Sequence, residues 1–133
     1  MLTQALKYYE GFVNMKSAER FIALLESTTE ETLQKSIFQL GNAYGFDKTL
    51  IAVVPERAMS LGEALLRSNY SAQWRNSYDS NQLVNIDPTV THCIARSTPL
   101  IWEPAIFSNK KQKEMYEEAT SFGLRSGITL PYH

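Results

Sequence analysis

Cysteine is nearly absent: Cys93 is the only one in 133 residues, so no disulfide can form within the chain. Two histidines and one thiol are also too few soft ligands for a structural zinc site. A reducing, cytoplasmic setting is the simplest inference from this economy. Charge of one sign is lacking as well. The formal net charge is −1, with 20% of residues charged, and this gives no general attraction to phosphate backbones or anionic lipid surfaces. Nucleic acid is therefore not expected as this segment's direct partner, nor is a membrane. Long apolar runs are missing too: the stretch Met1 to Lys16 interleaves Gln4, Lys7, Glu10 and Asn14 with its hydrophobic residues, unlike a signal peptide or a membrane span. There is no glycine-rich phosphate loop, no metal motif and no repeat, and the five prolines are scattered from Pro55 onward instead of marking a linker. No cofactor or metal is expected.

What remains is 44% hydrophobic and long enough for a single core. Helical periodicity covers Thr3 to Phe12 and Ala18 to Glu26, the second with Ser17 as a cap and Phe21, Leu24 and Leu25 on one face. Thr28-Thr29-Glu30-Glu31 reads as a capping box, followed by Leu33, Ile37, Leu40 and Tyr44 at helical spacing until Gly45 stops the helix. The period then changes. Thr49 to Val54 is apolar and β-branched and ends at Pro55, which predicts a buried strand, with a second strand over Ala64 to Ser68.

Ser71 to Tyr78 is expected to be a short helix that places Trp74 and Tyr78 together at i, i+4, and Asp87-Pro88 opens another with aspartate as the N-cap. Met115, Tyr116, Ala119 and Phe122 share one helix face that Gly123 terminates, and Gly127 to Pro131 is a last strand. Strands and helices mix as in an α+β layered domain.

Read singly, the aromatic and acidic residues of the middle segment have two meanings. Asp87 before Pro88 suits a helix cap, and Trp74, Tyr78 and Trp102 suit ordinary core packing. Catalysis has little support. His92 and Cys93 are neighbours on a helix and point roughly 100° apart, so they do not readily share a proton. Glu30-Glu31 and Glu117-Glu118 fall on solvated helix faces, where nothing desolvates a carboxyl for acid–base work. The chain is not expected to be an enzyme.

The joint spacing carries more than the single residues. Asn69-Tyr70-Ser71-Ala72-Gln73-Trp74-Arg75-Asn76-Ser77-Tyr78, then Asp87-Pro88-Thr89 and Pro99-Leu100-Ile101-Trp102, resembles the signature of the autoinducer-binding domain of LuxR-type quorum-sensing transcriptional regulators. The likeness continues through Glu117-Glu118-Ala119, Gly123-Leu124, Gly127 and Thr129-Leu130-Pro131, and covers roughly Phe21 to His133. His92-Cys93 and Trp102-Glu103-Pro104 bring the chain nearest the LasR-like branch.

The resemblance implies a three-layer α/β/α sandwich with a central, mainly antiparallel sheet, similar to PAS and GAF domains. It further implies a buried pocket for an N-acyl-homoserine lactone of long chain, with a possible 3-oxo group. Trp74 would donate to the lactone carbonyl, Tyr70 to the amide carbonyl, and Asp87 would accept from the amide N–H, with Thr89 in support. Tyr78, Trp102, Leu50, Ala52, Val54, Ala64, Leu66 and Val90 would line the head and the acyl channel. At about 0.8 kcal/mol per buried methylene, a tail of roughly eight would contribute about 6 kcal/mol, against about 1 kcal/mol for a neutral hydrogen bond. The tail would supply affinity and the polar head selectivity.

Family members usually continue beyond Thr129-Leu130-Pro131 with more sheet, another polar pocket residue, a long helix and a C-terminal helix-turn-helix. The resemblance therefore implies a shortened chain: an N-terminal helical extension over residues 1–20, an autoinducer-binding domain over 21–133 incomplete at its C-terminal end, and no DNA-binding domain. Homodimerisation is expected, with DNA reached only through the absent domain. A naturally shortened protein that pairs with full-length regulators is the alternative.

Overall fold

The computed structural model describes residues 23, 26–53 and 65–131. The helix expected over Thr3 to Phe12 lies outside the described residues, as does nearly all of the one over Ala18 to Glu26. The described chain is a mixed α+β structure. Its order is α1 (Glu30–Ala43), β1 (Leu50–Val53), β2 (Leu65–Ser68), α2 (Ala72–Ser80), α3 (Pro88–Ala95), β3 (Leu100–Ile101), α4 (Lys110–Ser121) and β4 (Ile128–Thr129). Short 3₁₀ turns at Leu83–Asn85 and Pro104–Ile106 lead out of α2 and β3.

Helix α1 starts one residue later than its sequence pattern suggests. The capping box is built from Thr29 and Thr32, not from Thr28 and Glu31: the Thr29 hydroxyl accepts from the Thr32 N–H at 3.1 Å, and the Thr29 N–H donates to the Thr32 hydroxyl at 3.2 Å. Both frames keep the three-residue spacing that the motif requires. The shift places Glu30 and Glu31 in the first turn, where free N–H groups favour negative charge.

The two helix stops read from glycine are present and share one construction. Gly45 and Gly123 take φ of 86° and 84°, a left-handed conformation that costs other residues a Cβ clash. Phe46 N–H then reaches back to Gly41 O at 2.9 Å, and Leu124 N–H to Ala119 O at 2.9 Å, closing both helices in Schellman fashion. In each case the residue after the glycine is a buried apolar side chain, so the stop also turns the chain into the core.

Strand pairing is antiparallel throughout, in two ladders among the described residues. β1 and β2 pair with Leu50 opposite Ser68 and Val53 opposite Leu65, and β3 and β4 pair with Leu100 opposite Thr129. Asn69 closes the first ladder by accepting from Thr49 N–H at 2.6 Å and donating to Asp47 O at 3.0 Å. The expected burial of the first strand holds only at its start. Leu50 is 4% exposed and Val53 56%. A uniformly apolar run does not say which of its residues meets a partner, because alternate side chains leave opposite faces of a strand.

One core cluster joins these elements. Leu50 of β1, Tyr70, Trp74 and Tyr78 around α2, Trp102 and Phe107 after β3, Met115 and Ala119 of α4, and Leu124 are all buried in it. Burying each large apolar side chain of this cluster contributes about 1.5–3 kcal/mol. No helix among the described residues is long and apolar enough to cross a membrane.

Candidate functional site

Helix α2 is where the local pattern becomes a site. Its four-residue period sets Trp74 and Tyr78 on one face, with ring centroids 5.8 Å apart and planes at 67°, and Phe122 approaches Trp74 from the other side at 5.9 Å. The outer surface of Tyr78 carries the Arg75 guanidinium, 4.9 Å from the ring centroid. Trp74 is fully buried and Tyr70 is 7% exposed in the same cluster.

Asp87 meets this aromatic face from the start of α3. As the N-cap it accepts from Thr89 N–H at 2.9 Å, and Pro88 occupies the first turn, where a missing N–H costs nothing. The same carboxylate oxygen, Oδ1, accepts from the Thr89 hydroxyl at 2.7 Å, and Oδ2 accepts from the Tyr78 hydroxyl at 2.8 Å. Asp87 and Thr89 are both buried, at 0% and 2% exposure. Asp87 thus caps α3 and at the same time holds the Tyr78 hydroxyl of the aromatic face. Burial, together with the Asp87 carboxylate, pushes the Tyr78 phenol far above the ordinary tyrosine range. It stays protonated and acts as a donor.

The other expected site residues divide. Leu50 and Trp102 are buried in the cluster and Leu66 packs partly buried against it. Val90 is half-buried, whereas Ala52 is exposed. Val54 and Ala64 lie outside the described residues. The structure thus brings Tyr70, Trp74, Tyr78, Trp102 and Leu50 into one cluster, and Tyr78 carries Asp87 and Thr89 with it.

Trp102 has a partner that no local pattern announces. Its indole Nε1 donates to the Thr129 hydroxyl at 2.9 Å, and its backbone N–H donates to Gly127 O at 2.9 Å. Thr129 is 1% exposed. Threonine is an ordinary strand residue, so only its pairing across 27 positions shows that the hydroxyl is used. A second long-range tie comes from Gln112 of α4, whose side-chain N–H donates to Ile86 O at 3.0 Å and steadies the approach to Asp87.

His92 and Cys93 do not form a nucleophilic pair. The His92 ring bonds the Thr98 carbonyl oxygen at 2.6 Å, and partial burial pushes the Cys93 thiol up, away from the reactive thiolate. Among the described residues no group of His, Cys, Asp or Glu could hold a metal ion. A surface groove of about 760 Å³ lies elsewhere, between α1 and β2, lined by charged and polar groups such as Glu30, Lys35, Asp47 and Arg67. Glu30 and Arg67 pair across it. None of the expected site residues lines it.

Comparison with known proteins gives this geometry a setting. A family model described as the autoinducer binding domain matches residues 29–133. The transcriptional activator protein VanR of Vibrio anguillarum is 29% identical over 106 residues, which span 80% of this chain and 44% of VanR. The activator LuxR of Aliivibrio fischeri is 31% identical over 88 residues, 63% of this chain and 34% of LuxR. Among solved structures, the N-acylhomoserine lactone-dependent LuxR-family transcription factor CepR2 of Burkholderia cenocepacia superposes with a TM-score of 0.71 at 22% identity, covering 86% of this chain and 66% of that one. The chain spans less than half the length of the two activators.

Proposed function

The chain belongs to the autoinducer-binding domain family of LuxR-type regulators, and from that premise we propose that it binds an N-acyl-homoserine lactone at the Tyr70–Trp74–Asp87 cluster. The observation that supports this reading is that Tyr70 and Trp74 are buried in one apolar cluster and that the fully buried Asp87 is hydrogen-bonded to Tyr78, a third member of it. An acyl lactone has an amide N–H, two carbonyl oxygens and a long apolar tail. Asp87 accepts from the N–H, Tyr70 and Trp74 donate to the carbonyls, and Thr89 holds the carboxylate in place. Each buried polar group of the guest then has a partner, which matters because an unmatched one costs about 1–3 kcal/mol. Leu50, Leu66, Val90 and Trp102 border the tail, whose length sets most of the affinity.

Binding stabilises the fold, since only the folded form has the site. A ligand at about 100 times its dissociation constant adds roughly 2.7 kcal/mol, a rise in Tm on the order of 10 °C for a domain of this size. The stabilised domain dimerises, and DNA is contacted through a separate C-terminal helix-turn-helix domain. The test is a thermal-shift measurement with N-decanoyl-homoserine lactone on the wild type, Asp87→Ala and Trp74→Phe. The stabilisation is expected to shrink in both variants, and an undiminished shift in both would overturn the assigned contacts. Mass spectrometry of small molecules extracted from purified protein would identify the acyl chain and its 3-substituent.

A further inference from the structure

The Tyr78 hydroxyl has no share in the contacts proposed above, yet it is spent on the residue that matters most to them. It donates to Asp87 Oδ2 at 2.8 Å, while Thr89 supplies both bonds to Oδ1. The carboxylate is therefore gripped at both oxygens by two different elements. Thr89 belongs to the same turn as Asp87 and would move with it, whereas Tyr78 comes from the neighbouring helix and fixes the carboxylate relative to Trp74, one turn away.

The ring of Tyr78 is held independently of its hydroxyl, by the Arg75 guanidinium 4.9 Å from its centroid and by the edge contact with Trp74. Geometry thus separates what the ring does from what the hydroxyl does.

We propose that Tyr78 is a positioning residue: its hydroxyl aims the Asp87 carboxylate at the ligand's amide N–H, and so sets the preference for an amide-linked over an ester-linked acyl lactone. This rests on the reading of Asp87 as the acceptor for that N–H. Burial keeps the phenol a donor and so keeps Oδ2 facing it. Without the hydroxyl the carboxylate retains its cap to Thr89 but loses its second anchor, and a hydrogen bond weakens steeply as its geometry deteriorates.

The test compares two probes, N-decanoyl-homoserine lactone and the analogue in which an ester oxygen replaces the amide N–H, on the whole chain and on Tyr78→Phe. In the wild type the amide should bind about tenfold or more tighter than the ester, because the ester sets oxygen against oxygen. In Tyr78→Phe the amide is expected to lose most of that advantage while the ester changes little. If both probes weaken by the same factor and the preference survives, Tyr78 is only a packing residue and the inference is overturned, though Asp87 keeps its role. If the wild type shows no preference, the Asp87 contact itself is wrong and the inference falls with it. Should the phenylalanine variant not fold, fluorotyrosine at position 78 gives a second readout. Its fluorine resonance should shift more with the amide than with the ester, and equal shifts would overturn the proposal.

Discussion

Helices α1 and α4 carry apolar stripes of the same period, and the two have opposite fates. On α4, Met115 and Ala119 are 2% and 0% exposed, while on and just after α1 Leu33 and Tyr44 are 41% and 43% exposed. Both helices start from a side-chain cap and end at a left-handed glycine, so their local construction does not separate them. The difference lies in what faces them. Around α4 the aromatic residues of α2 and Phe107 converge, with Phe107 stacked on Tyr116 at 4.3 Å. By contrast, none of the core cluster's buried side chains comes from α1, and the polar groove between α1 and β2 opens on another face of that helix, lined by Gln34, Phe38 and Asn42. Amphipathic spacing makes a helix with an apolar side; the rest of the fold decides how deeply that side is buried.

The largest test of that contrast replaces one large side chain in each region. Trp74→Ala should cost about 3–5 kcal/mol by denaturant unfolding, since a fully buried indole leaves a cavity behind, while Leu33→Ala on the exposed stripe should cost under about 1 kcal/mol. Similar losses at both positions would erase the distinction between the regions.

Thr129→Val sharpens it on the core side. The swap keeps the shape but strands the Trp102 N–H without its acceptor, so a loss of about 1–3 kcal/mol is expected in the same measurement. A neutral result would mean that this long-range bond contributes nothing.

The smallest effect belongs to the α1 side. Thr29→Ala should destabilise by about 1 kcal/mol and Thr28→Ala by much less, a reversal of what the capping pattern in the sequence suggests. Equal effects would restore the frame that begins at Thr28.

Much of the candidate site was legible because its pieces are local. Trp74 and Tyr78 meet through helix periodicity, and Asp87 is a cap because Pro88 follows it. Their joint spacing also marked the family. What could not be read was the direction of each group. Tyr78 was expected only as a wall, yet its hydroxyl binds Asp87; Trp102 was expected as another, yet its N–H is taken by Thr129. Ala52 was expected inside and is exposed although it shares a strand face with the buried Leu50, because a short apolar strand carries no mark of how far along it the cover extends.

The amino-acid order by itself determined the elements and their ends: the helical periods, the cap at Asp87 and the stops at Gly45 and Gly123. These follow from contacts within about four residues, whose geometry the backbone supplies wherever the segment sits. Only the tertiary structure decided that α4 is covered more completely than α1, that the Asp87 carboxylate is held from two helices, and that Thr129 closes on Trp102. Such choices depend on chain segments far apart in sequence competing for the same buried space, and no local pattern records the outcome.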